Sequence, residues 1–486
     1  MKKRIVAVMM AVLMGISAFA GCGKGNSSDQ AKGTNQEGNK EPETVKWLLF
    51  GTEPEDHDMV MEELNKLLVE KINVKLDLEW IAESEYETRV KLAVSSGEDF
   101  DLLWVSNWMN QFNEYVAEEA LMPLNDLIEE YGQGIDETLE DWVLNFGTVG
   151  DTIYAIPCLQ ILANQRCVMV QKDLVEKYNL DTSPVEDYRD LEGILEIIKQ
   201  NEPDIIPMRA NVKPEVTHYE SLVAAEIWIS MTDSSATPIE DDSVTWEAAK
   251  LKREWFDKGY IREDVATITD DSGDAKAGRY AVMTEAYKPG IEAAMADAYG
   301  IECVAIPIGN PYVSATAGQA TMIAMNVNSE RPEAAMKLFN CVYTDEEVFN
   351  MLLFGIENVH YKKVADNRAE FVENTKYSMS SKAWEIGNQF LAWYIPGQAD
   401  GTWEETDQMN KNSIVSPLQG FIFDSTGVQA ELAQIAAVIT EYENYMYTAE
   451  DLEKTHKEYF EKLKTAGRDT VLEELKKQIE EWKAGK

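Results

Sequence analysis

Acidic, amide and aromatic side chains follow two predicted strands in the first quarter of the chain. Glu53 lies just after one apolar run, and Asn107 and Trp108 lie just after another. The C–H faces of a sugar ring stack on aromatic rings, and its hydroxyl groups hydrogen-bond to carboxylates and amides. Because ligands of open α/β sheets bind beyond the carboxyl ends of the strands, these residues predict one edge of a site for a sugar-like ligand.

The elements that would hold these residues alternate between strands and helices. Apolar runs at 45–50, 73–80 and 100–105 have the pattern of strands, and the segments 56–71 and 83–96 between them have helical periodicity. Strand, helix, strand, helix, strand is typical of a parallel α/β sheet. A chain of 486 residues is too long for one hydrophobic core, so we expect at least two domains.

Patterns that would supply catalytic groups or a metal site are missing from the sequence. It has no GxSxG, HExxH or P-loop pattern, and its four histidines are scattered at positions 57, 218, 360 and 456. A glycoside hydrolase needs two carboxylates across a cleft, and 87 acidic residues leave that pair unidentified. We therefore predict a protein that is not an enzyme and has no cofactor and no metal, with a secreted glycoside hydrolase as the alternative.

The first 22 residues have the organisation of an export signal. Basic residues 2–4 precede an apolar run from Ile5 to Ala20, which is shorter than the roughly 20 residues that a membrane-spanning helix needs. The sequence Phe19-Ala20-Gly21-Cys22 resembles the lipobox of bacterial lipoproteins. The resemblance implies a signal peptide at 1–21, acylation of Cys22 with fatty acids such as palmitate, and anchoring on the extracytoplasmic face of the cell membrane.

Residues 22–43 are rich in Gly, Ser, Asn, Gln, Lys and Glu, with almost no apolar side chains. Such a segment has too little apolar surface to fold, so it is predicted to be a flexible tether. The chain carries a formal net charge of −43 at pH 7, which repels phosphate backbones and excludes nucleic acid as a partner. Attachment to the bilayer would then come from the acyl chains and not from a basic patch.

Four cysteines follow Cys22, and they form no CxxC pair. In an oxidising compartment two of them, Cys158 and Cys167, have the spacing of a short disulfide loop. The alternative is that all four are buried free thiols, and the sequence leaves this choice open.

Motifs in the middle of the chain resemble those of extracellular solute-binding proteins of bacterial ABC importers. Residues 150–157 (Gly-Asp-Thr-Ile-Tyr-Ala-Ile-Pro) are similar to the strand with which that family crosses between lobes, and residues 121–127 are similar to the preceding segment. Residues 278–287, 329–340 and 355–361 are similar to later motifs of the family. Each motif is short, and their order and spacing carry the resemblance.

The C-terminal part resembles a lipoprotein subgroup of that family, often called LipO-like, which ends in a helical module of unknown function. Residues 416–424 and 463–469 carry this similarity. The segment 449–486 alternates acidic and basic residues at helical spacing, which favours charged helices packed on one lobe.

The resemblance implies a two-lobed α/β fold of the type II periplasmic-binding-protein-like class, with three hinge crossings and extra C-terminal helices. The implied first lobe comprises residues 44–157 and 318–356, and the implied second lobe comprises residues 158–317 and 357–486. The implied function is a carbohydrate-type substrate-binding protein. It would act as a monomer that captures a sugar, expected to be an oligosaccharide, and delivers it to the membrane subunits of an ABC importer.

Aromatic and polar side chains near the implied cleft are the candidate ligand contacts. They comprise Glu53, Asn107, Trp108, Gln160, Glu285, Tyr287, Asn388, Gln389 and Trp393. The same aromatic content would suit a peptide or another polar nutrient, which is the alternative ligand class. The sequence does not identify the sugar, its length, its linkage or its charge.

Overall fold

The computed structural model describes residues 41–210, 219–231, 238–239, 243–268 and 270–484. The predicted signal peptide at 1–21, the predicted lipidation site Cys22, and the predicted tether up to residue 40 lie outside the described residues. Within the described residues, no helix combines the length and the apolar character needed to cross a membrane.

The strands of the described residues form two five-stranded sheets and three smaller ones. In chain order they are β1 Glu43–Phe50, β2 Val74–Ile81, β3 Leu102–Val105, β4 Thr148–Val149, β5 Thr152–Ile153, β6 Ala155–Pro157, β7 Asn164–Gln171, β8 Ile206–Met208, β9 Tyr219–Glu220, β10 Trp228–Ser230, β11 Pro238–Ile239, β12 Tyr280–Ala286, β13 Cys303–Val313, β14 Met322–Met325, β15 Tyr361–Ala365, β16 Arg368–Phe371 and β17 Ile414–Val415.

The helices of the described residues pack on both large sheets and also form a C-terminal group of their own. In chain order they are α1 His57–Ile72, α2 Glu83–Ser96, α3 Phe112–Ala117, α4 Asn125–Tyr131, α5 Gln133–Thr138, α6 Asp141–Leu144, α7 Lys172–Tyr178, α8 Glu192–Asn201, α9 Ser243–Asp257, α10 Ser272–Lys276, α11 Ile291–Tyr299, α12 Pro332–Thr344, α13 Glu346–Phe354, α14 Thr402–Lys411, α15 Gln429–Glu441, α16 Tyr445–Thr448, α17 Leu452–Thr465 and α18 Arg468–Ala484.

The first large sheet has the strand order β2-β1-β3-β14-β6. β1 runs parallel to β2 and to β3, with Phe50 opposite Ile81 and Trp47 opposite Leu102. Residues 47–50 of β1 are all buried, because helices cover both faces of a parallel sheet and its strands then become continuously apolar. The predicted alternation of strands and helices in this part of the chain is confirmed.

The second large sheet has the strand order β17-β13-β7-β12-β8. Its central strand β7 is apolar on both sides, since Val168 and Val170 face one apolar cluster and Cys167 and Met169 face another. Successive side chains of a strand point to opposite faces, so both faces of this sheet are covered. The two sheets are the centres of the two lobes.

Within the part of the chain that the structure describes, the backbone passes between the two large sheets three times. Residues 158–163, which we call the first crossing, join β6 to β7, and residues 314–321, the second crossing, join β13 to β14. A third passage precedes β17, which adds to the edge of the second sheet. This is the topology expected for a two-lobed fold with three hinge crossings.

The packing of residues 361–392 differs from the predicted boundary between the lobes. The family resemblance implies that the chain from residue 357 onward belongs to the second lobe, but Tyr361, Tyr377 and Ala392 belong to the apolar core around the first sheet. The short motifs that carry the resemblance do not show which sheet the chain between them covers. For this segment the predicted boundary is wrong.

The C-terminal helices form an apolar cluster with residues 223–229. α15 contributes Ile435 and α18 contributes Leu475 to this cluster. Arg468 is almost fully buried and donates from Nη2 to the carbonyl oxygen of Glu226 at 2.6 Å. The expected extra helices are therefore present, and they pack on the chain that lies between β8 and β12.

The cysteines of the described residues are free and buried, and they comprise Cys158, Cys167, Cys303 and Cys341. Of the two alternatives left open by the sequence, the structure has the free thiols and not the Cys158–Cys167 disulfide. Burial raises the pKa of Cys158 to about 12, so this thiol stays protonated at neutral pH.

Candidate functional site

A cavity of about 560 Å³ lies between the two lobes, and we call it the interlobe cavity. The first crossing forms one wall, the chain after β12 forms a second, and residues 384–406, which pack on the core of the first sheet, form a third. The lining residues are Gln160, Ile161, Lys288, Pro289, Gly290, Ala293, Trp384, Gln389, Pro396, Gly397, Gln398, Thr402, Trp403 and Thr406.

Trp403, in the first turn of α14, is one of two indole rings that line the interlobe cavity. Its Nε1 donates to the carbonyl oxygen of Ala392 at 2.7 Å. One face of the ring stacks on Tyr394, with 6.1 Å between ring centroids and an interplanar angle of 11°. The hydrogen bond and the stack fix the ring, so it presents a rigid apolar surface to the cavity.

Trp384 is the second indole ring of the interlobe cavity. It packs edge to face on Phe50 at 6.0 Å and on Trp104 at 6.4 Å between ring centroids. Phe50 ends β1 and Trp104 lies in β3, so this ring stands at the carboxyl ends of the first sheet. The location agrees with the rule that open α/β sheets bind ligands beyond the carboxyl ends of their strands.

Gln160 and Gln389 are the predicted contacts that the structure places in the interlobe cavity. The backbone N–H of Gln389 donates to the carbonyl oxygen of Leu159 at 2.8 Å, and the N–H of Leu159 donates to Gly387 at 2.8 Å. Gly387 has a φ of +136°, and an added Cβ would lie 2.6 Å from the Val342 carbonyl oxygen. Only glycine fits this close approach, which holds the two glutamines on adjacent segments.

The wall from the second lobe follows directly from β12. Tyr287 donates its backbone N–H to the carbonyl oxygen of Gln165 at 2.8 Å, which continues the pairing of β12 with β7. Lys288, Pro289 and Gly290 come next and line the cavity. Lys288 is the only charged side chain among the described residues that line it.

No Asp or Glu lines the interlobe cavity among the described residues. The paired carboxylates that glycoside hydrolysis requires are thus not found in its lining. Nor do the described residues contain a group of three His, Cys, Asp or Glu side chains arranged to hold a metal ion. The lining offers aromatic faces, amides, hydroxyls and one ammonium group, which are groups that bind a polar ligand.

Asn107 and Trp108 lie beside the second crossing, outside the lining of the cavity. Asn107 Nδ2 donates to the Thr316 carbonyl oxygen at 3.2 Å, and Trp108 Nε1 donates to the Ala320 carbonyl oxygen at 2.9 Å. Trp108 packs edge to face on Trp104 at 5.4 Å and is still 50% exposed. Trp104 also packs on Trp384 and is fully buried, so it lies in the core between Trp108 and the cavity ring.

Glu53, Glu285 and Tyr287 also lie outside the lining. Glu53 is exposed in the loop after β1. Glu285 is half-buried near the end of β12, and burial raises the pKa of its carboxyl group while the nearby Arg209 and Arg166 lower it. Tyr287 is half-buried against the apolar cluster on one face of the second sheet.

Asn388 and Trp393, two more of the predicted contacts, also lie outside the lining of the interlobe cavity. Asn388 is buried, with Nδ2 donating to the Tyr343 carbonyl oxygen at 3.1 Å and Oδ1 accepting from the Phe390 N–H at 3.0 Å. Trp393 stacks on Phe354 of α13, and its Nε1 donates to Glu346 Oε1 at 2.6 Å. Both side chains are occupied by contacts that hold the first lobe together.

The sequence interpretation missed the two aromatic rings of the cavity. A signal for Trp403 exists, because Gly401-Thr402 followed by Glu404 and Glu405 is typical of the start of a helix. This signal places Trp403 in the first turn of a helix, next to the loop that precedes it, where a side chain can face a cavity. We find no comparable signal for Trp384, which lies in the 3₁₀ helix Ser380–Glu385.

Comparisons with known proteins agree with this architecture. The model of the family described as bacterial extracellular solute-binding protein matches residues 60–348. A second model, described as a domain of unknown function (DUF3502), matches residues 417–484, which hold the C-terminal helices.

Individual relatives cover nearly the whole chain. A carbohydrate ABC transporter substrate-binding protein of Streptococcus pneumoniae is 25% identical, over 96% of this chain and 95% of its own length. The polygalacturonan/rhamnogalacturonan-binding protein YtcQ of Bacillus subtilis is 21% identical, over 99% of both chains. The crystal structure of the N-glycan transport solute binding protein NgtS of Streptococcus pneumoniae has a TM-score of 0.73 and 25% identity, covering 91% of this chain and 99% of its own.

The family model covers more than half of the chain, and the two sheets, their crossings and the cavity between them have the architecture of its members. The chain therefore belongs to the family of bacterial extracellular solute-binding proteins.

Proposed function

We propose that this chain is the substrate-binding protein of a carbohydrate ABC importer and that it binds an oligosaccharide in the interlobe cavity. The composition of the cavity carries the proposal. Trp384 and Trp403 offer faces for sugar rings, and glutamine and threonine side chains offer donors and acceptors for hydroxyl groups. The three relatives described above are named for carbohydrates, which supports the same class of ligand.

Binding would close the two lobes on the sugar. The cavity takes its walls from both lobes and from the first crossing, so a ligand there touches Lys288 on one side and Trp403 on the other. A ligand that binds the closed form better shifts the equilibrium toward it by that difference in affinity. The closed form is then the one that the importer would recognise, and no bond of the sugar is broken.

The charge of the lining favours a neutral sugar over a chain of uronic acids. A polyanionic ligand needs several cations to replace its lost hydration, and Lys288 is the one cation among the described lining residues. The overall charge of −43 adds repulsion over longer distances. We therefore assign neutral oligosaccharides to the cavity, although one relative is named for binding polygalacturonan.

The exposed ring of Trp108, outside the cavity, supports a ligand longer than one sugar. Trp108 is half-exposed, and one buried ring, Trp104, lies between it and the cavity ring Trp384, with 5.4 Å and 6.4 Å between neighbouring ring centroids. A single sugar ring would fill the surface at Trp384 and Trp403 only. An oligosaccharide also reaches Trp108, which is why we propose a ligand of more than one sugar.

The location of the protein is part of the same proposal. Cys22 would carry the acyl chains, and the tether, which ends where β1 begins at Glu43, would keep a monomeric body within reach of its importer on the extracytoplasmic face of the membrane. A tethered receptor has an effective concentration near its transporter that is set by the length of the tether.

A thermal-shift screen tests the proposed ligand class. The purified chain is heated with neutral oligosaccharides, with oligogalacturonides and with peptides at matched concentrations. A ligand at about 100 times its Kd adds about 2.7 kcal/mol to the free energy of unfolding, so it raises the Tm visibly. We expect neutral oligosaccharides to raise the Tm most, and a Tm raised by peptides alone would contradict the proposal.

A further inference from the structure

One buried asparagine joins two walls of the interlobe cavity. Asn410, near the C-terminal end of α14, is 3% exposed. Its Oδ1 accepts hydrogen bonds from the backbone N–H groups of Leu162 at 2.8 Å and Ala163 at 3.0 Å, and its Nδ2 donates to the Gln160 carbonyl oxygen at 2.7 Å. All three partners lie in the first crossing.

The face of α14 that carries Asn410 is also a wall of the cavity. Thr402 and Thr406 line the cavity, and they precede Asn410 by eight and four residues, so the three side chains lie on one side of the helix. Gln160 and Ile161 of the first crossing line the cavity as well. The side chain of Asn410 therefore connects two lining segments that are about 250 residues apart in sequence.

The three hydrogen bonds satisfy backbone groups that would otherwise be buried without partners. Leu162 and Ala163 are buried and precede β7, so their N–H groups lie outside the strand pairing of either sheet. A buried backbone donor or acceptor without a partner loses its hydrogen bonds to water and gains none in return, which destabilises that arrangement. Without Asn410, the crossing would move to find other partners, and Gln160 would move with it.

We propose that Asn410 is a positioning residue, which holds the first crossing against α14 and so fixes Gln160 and Ile161 for the ligand. The proposal rests on the proposed function, because it assigns Asn410 a role at the same cavity. Asn410 does not touch the ligand. It acts by holding a hinge segment in the shape that the cavity requires, which lowers the cost of ordering that segment on binding.

Asn350 supplies a matched control. It is fully buried, its Nδ2 donates to the carbonyl oxygens of Glu346 and Leu391, and its Oδ1 accepts from the N–H of Trp393. It therefore makes the same number of backbone hydrogen bonds as Asn410, and none of the three reaches the first crossing. Asn350→Ala and Asn410→Ala should lower the Tm to a similar extent.

Two measurements on these variants test the proposal. Hydrogen–deuterium exchange of the ligand-free chain, followed on peptides that contain residues 158–165, should be faster in Asn410→Ala than in wild type and unchanged in Asn350→Ala. A calorimetric titration with the best neutral oligosaccharide should show a Kd raised about tenfold in Asn410→Ala and changed less than twofold in Asn350→Ala. Exchange unchanged in Asn410→Ala, or the same loss of affinity in both variants, would overturn the proposal.

Asn410→Asp keeps the test decisive where Asn410→Ala does not fold. Aspartate retains an acceptor for Leu162 and Ala163, but it replaces the donor to Gln160 by a carboxyl oxygen that repels the Gln160 carbonyl oxygen. We expect exchange at residues 158–165 and the Kd both to rise, and wild-type values for both would overturn the proposal. If wild type binds no oligosaccharide at all, the proposed function is contradicted, and the exchange measurement still decides whether Asn410 holds the crossing.

Discussion

Lys382 Nζ lies 2.7 Å from Glu385 Oε1 in an ion pair beside the cavity ring Trp384, and the carboxyl group of Glu385 is fully buried. The same ammonium lies 4.2 Å from the centroid of Phe50. Burial raises the pKa of Glu385 to about 7, against the lowering effect of Lys382. This buried carboxyl group, next in sequence to a ring that lines the interlobe cavity, therefore titrates near neutral pH.

The raised pKa of Glu385 predicts a specific dependence of stability on pH. The folded chain holds the proton more tightly than the unfolded chain, so this contribution to stability is complete below about pH 4.5 and is lost as the pH rises through about 7. Glu385→Gln stays neutral at every pH. We expect it to gain roughly 1–3 kcal/mol relative to wild type between pH 5 and pH 8.

Urea unfolding of both chains across that pH range measures the effect. The exposed Glu458 on α17 provides the control, since Glu458→Gln makes the same chemical change without removing a buried carboxyl group. If the difference in the free energy of unfolding between Glu385→Gln and wild type does not grow with pH, the buried carboxyl group does not cause the pH dependence.

The Ala variants of Trp403 and Trp393 distinguish a ring that contacts the ligand from a ring that only packs in the core. Trp403→Ala removes an aromatic face from the cavity, and we expect the Kd for a neutral oligosaccharide to rise about tenfold or more. Trp393→Ala removes a ring that packs on Phe354, so it should lower the Tm and leave the Kd within twofold of wild type. Calorimetry and thermal unfolding of both variants give the comparison. If Trp393→Ala lowers the affinity more than Trp403→Ala does, the ligand does not bind in the interlobe cavity.

Trp108 tests the length of the ligand. Its ring is half-exposed and lies one aromatic neighbour away from the cavity ring Trp384. Trp108→Ala should raise the Kd of a long neutral oligosaccharide several-fold and leave the Kd of a disaccharide unchanged. The two titrations serve as controls for each other. Equal effects on both ligands, or no effect on either, would remove Trp108 from the binding surface.

Cys22 tests the proposed anchoring. In cells that express the whole chain, wild type should be recovered with the membrane fraction, and Cys22→Ser should be released from it, because the serine hydroxyl replaces the thiol that would be acylated. Fractionation followed by immunoblotting measures the distribution. Cys158→Ser, at a buried thiol, is the control and should stay with the membrane. Membrane recovery of Cys22→Ser would exclude anchoring through this residue.

The parts of the fold that could be predicted are those that depend on short stretches of sequence. β1, β2 and the helices α1 and α2 lie within two residues of the predicted bounds, since each has its own hydrophobic period. The motif at 150–157 also indicated the first passage between the lobes, which the structure has after β6. These features need no knowledge of distant contacts.

The parts that could not be predicted depend on which distant segments meet. Gln389 and Asn388 are neighbours of similar chemistry, yet one lines the cavity and the other is buried against Tyr343. Trp393 and Trp403 lie in one aromatic-rich segment, and packing on α13 turns the first of them away from the cavity. No sequence pattern indicated the role of Asn410, because its hydrogen-bond partners are about 250 residues away in the chain.

The most direct test of the central claim is a calorimetric titration of the purified chain with a neutral oligosaccharide, an oligogalacturonide and a peptide, each followed by analysis of the sugar or peptide for cleavage. We expect the neutral oligosaccharide to bind at one site, much more tightly than the other two ligands, and to be recovered intact. Binding of the peptide alone, or recovery of a cleaved sugar, would contradict the assignment of this chain as an oligosaccharide-binding protein.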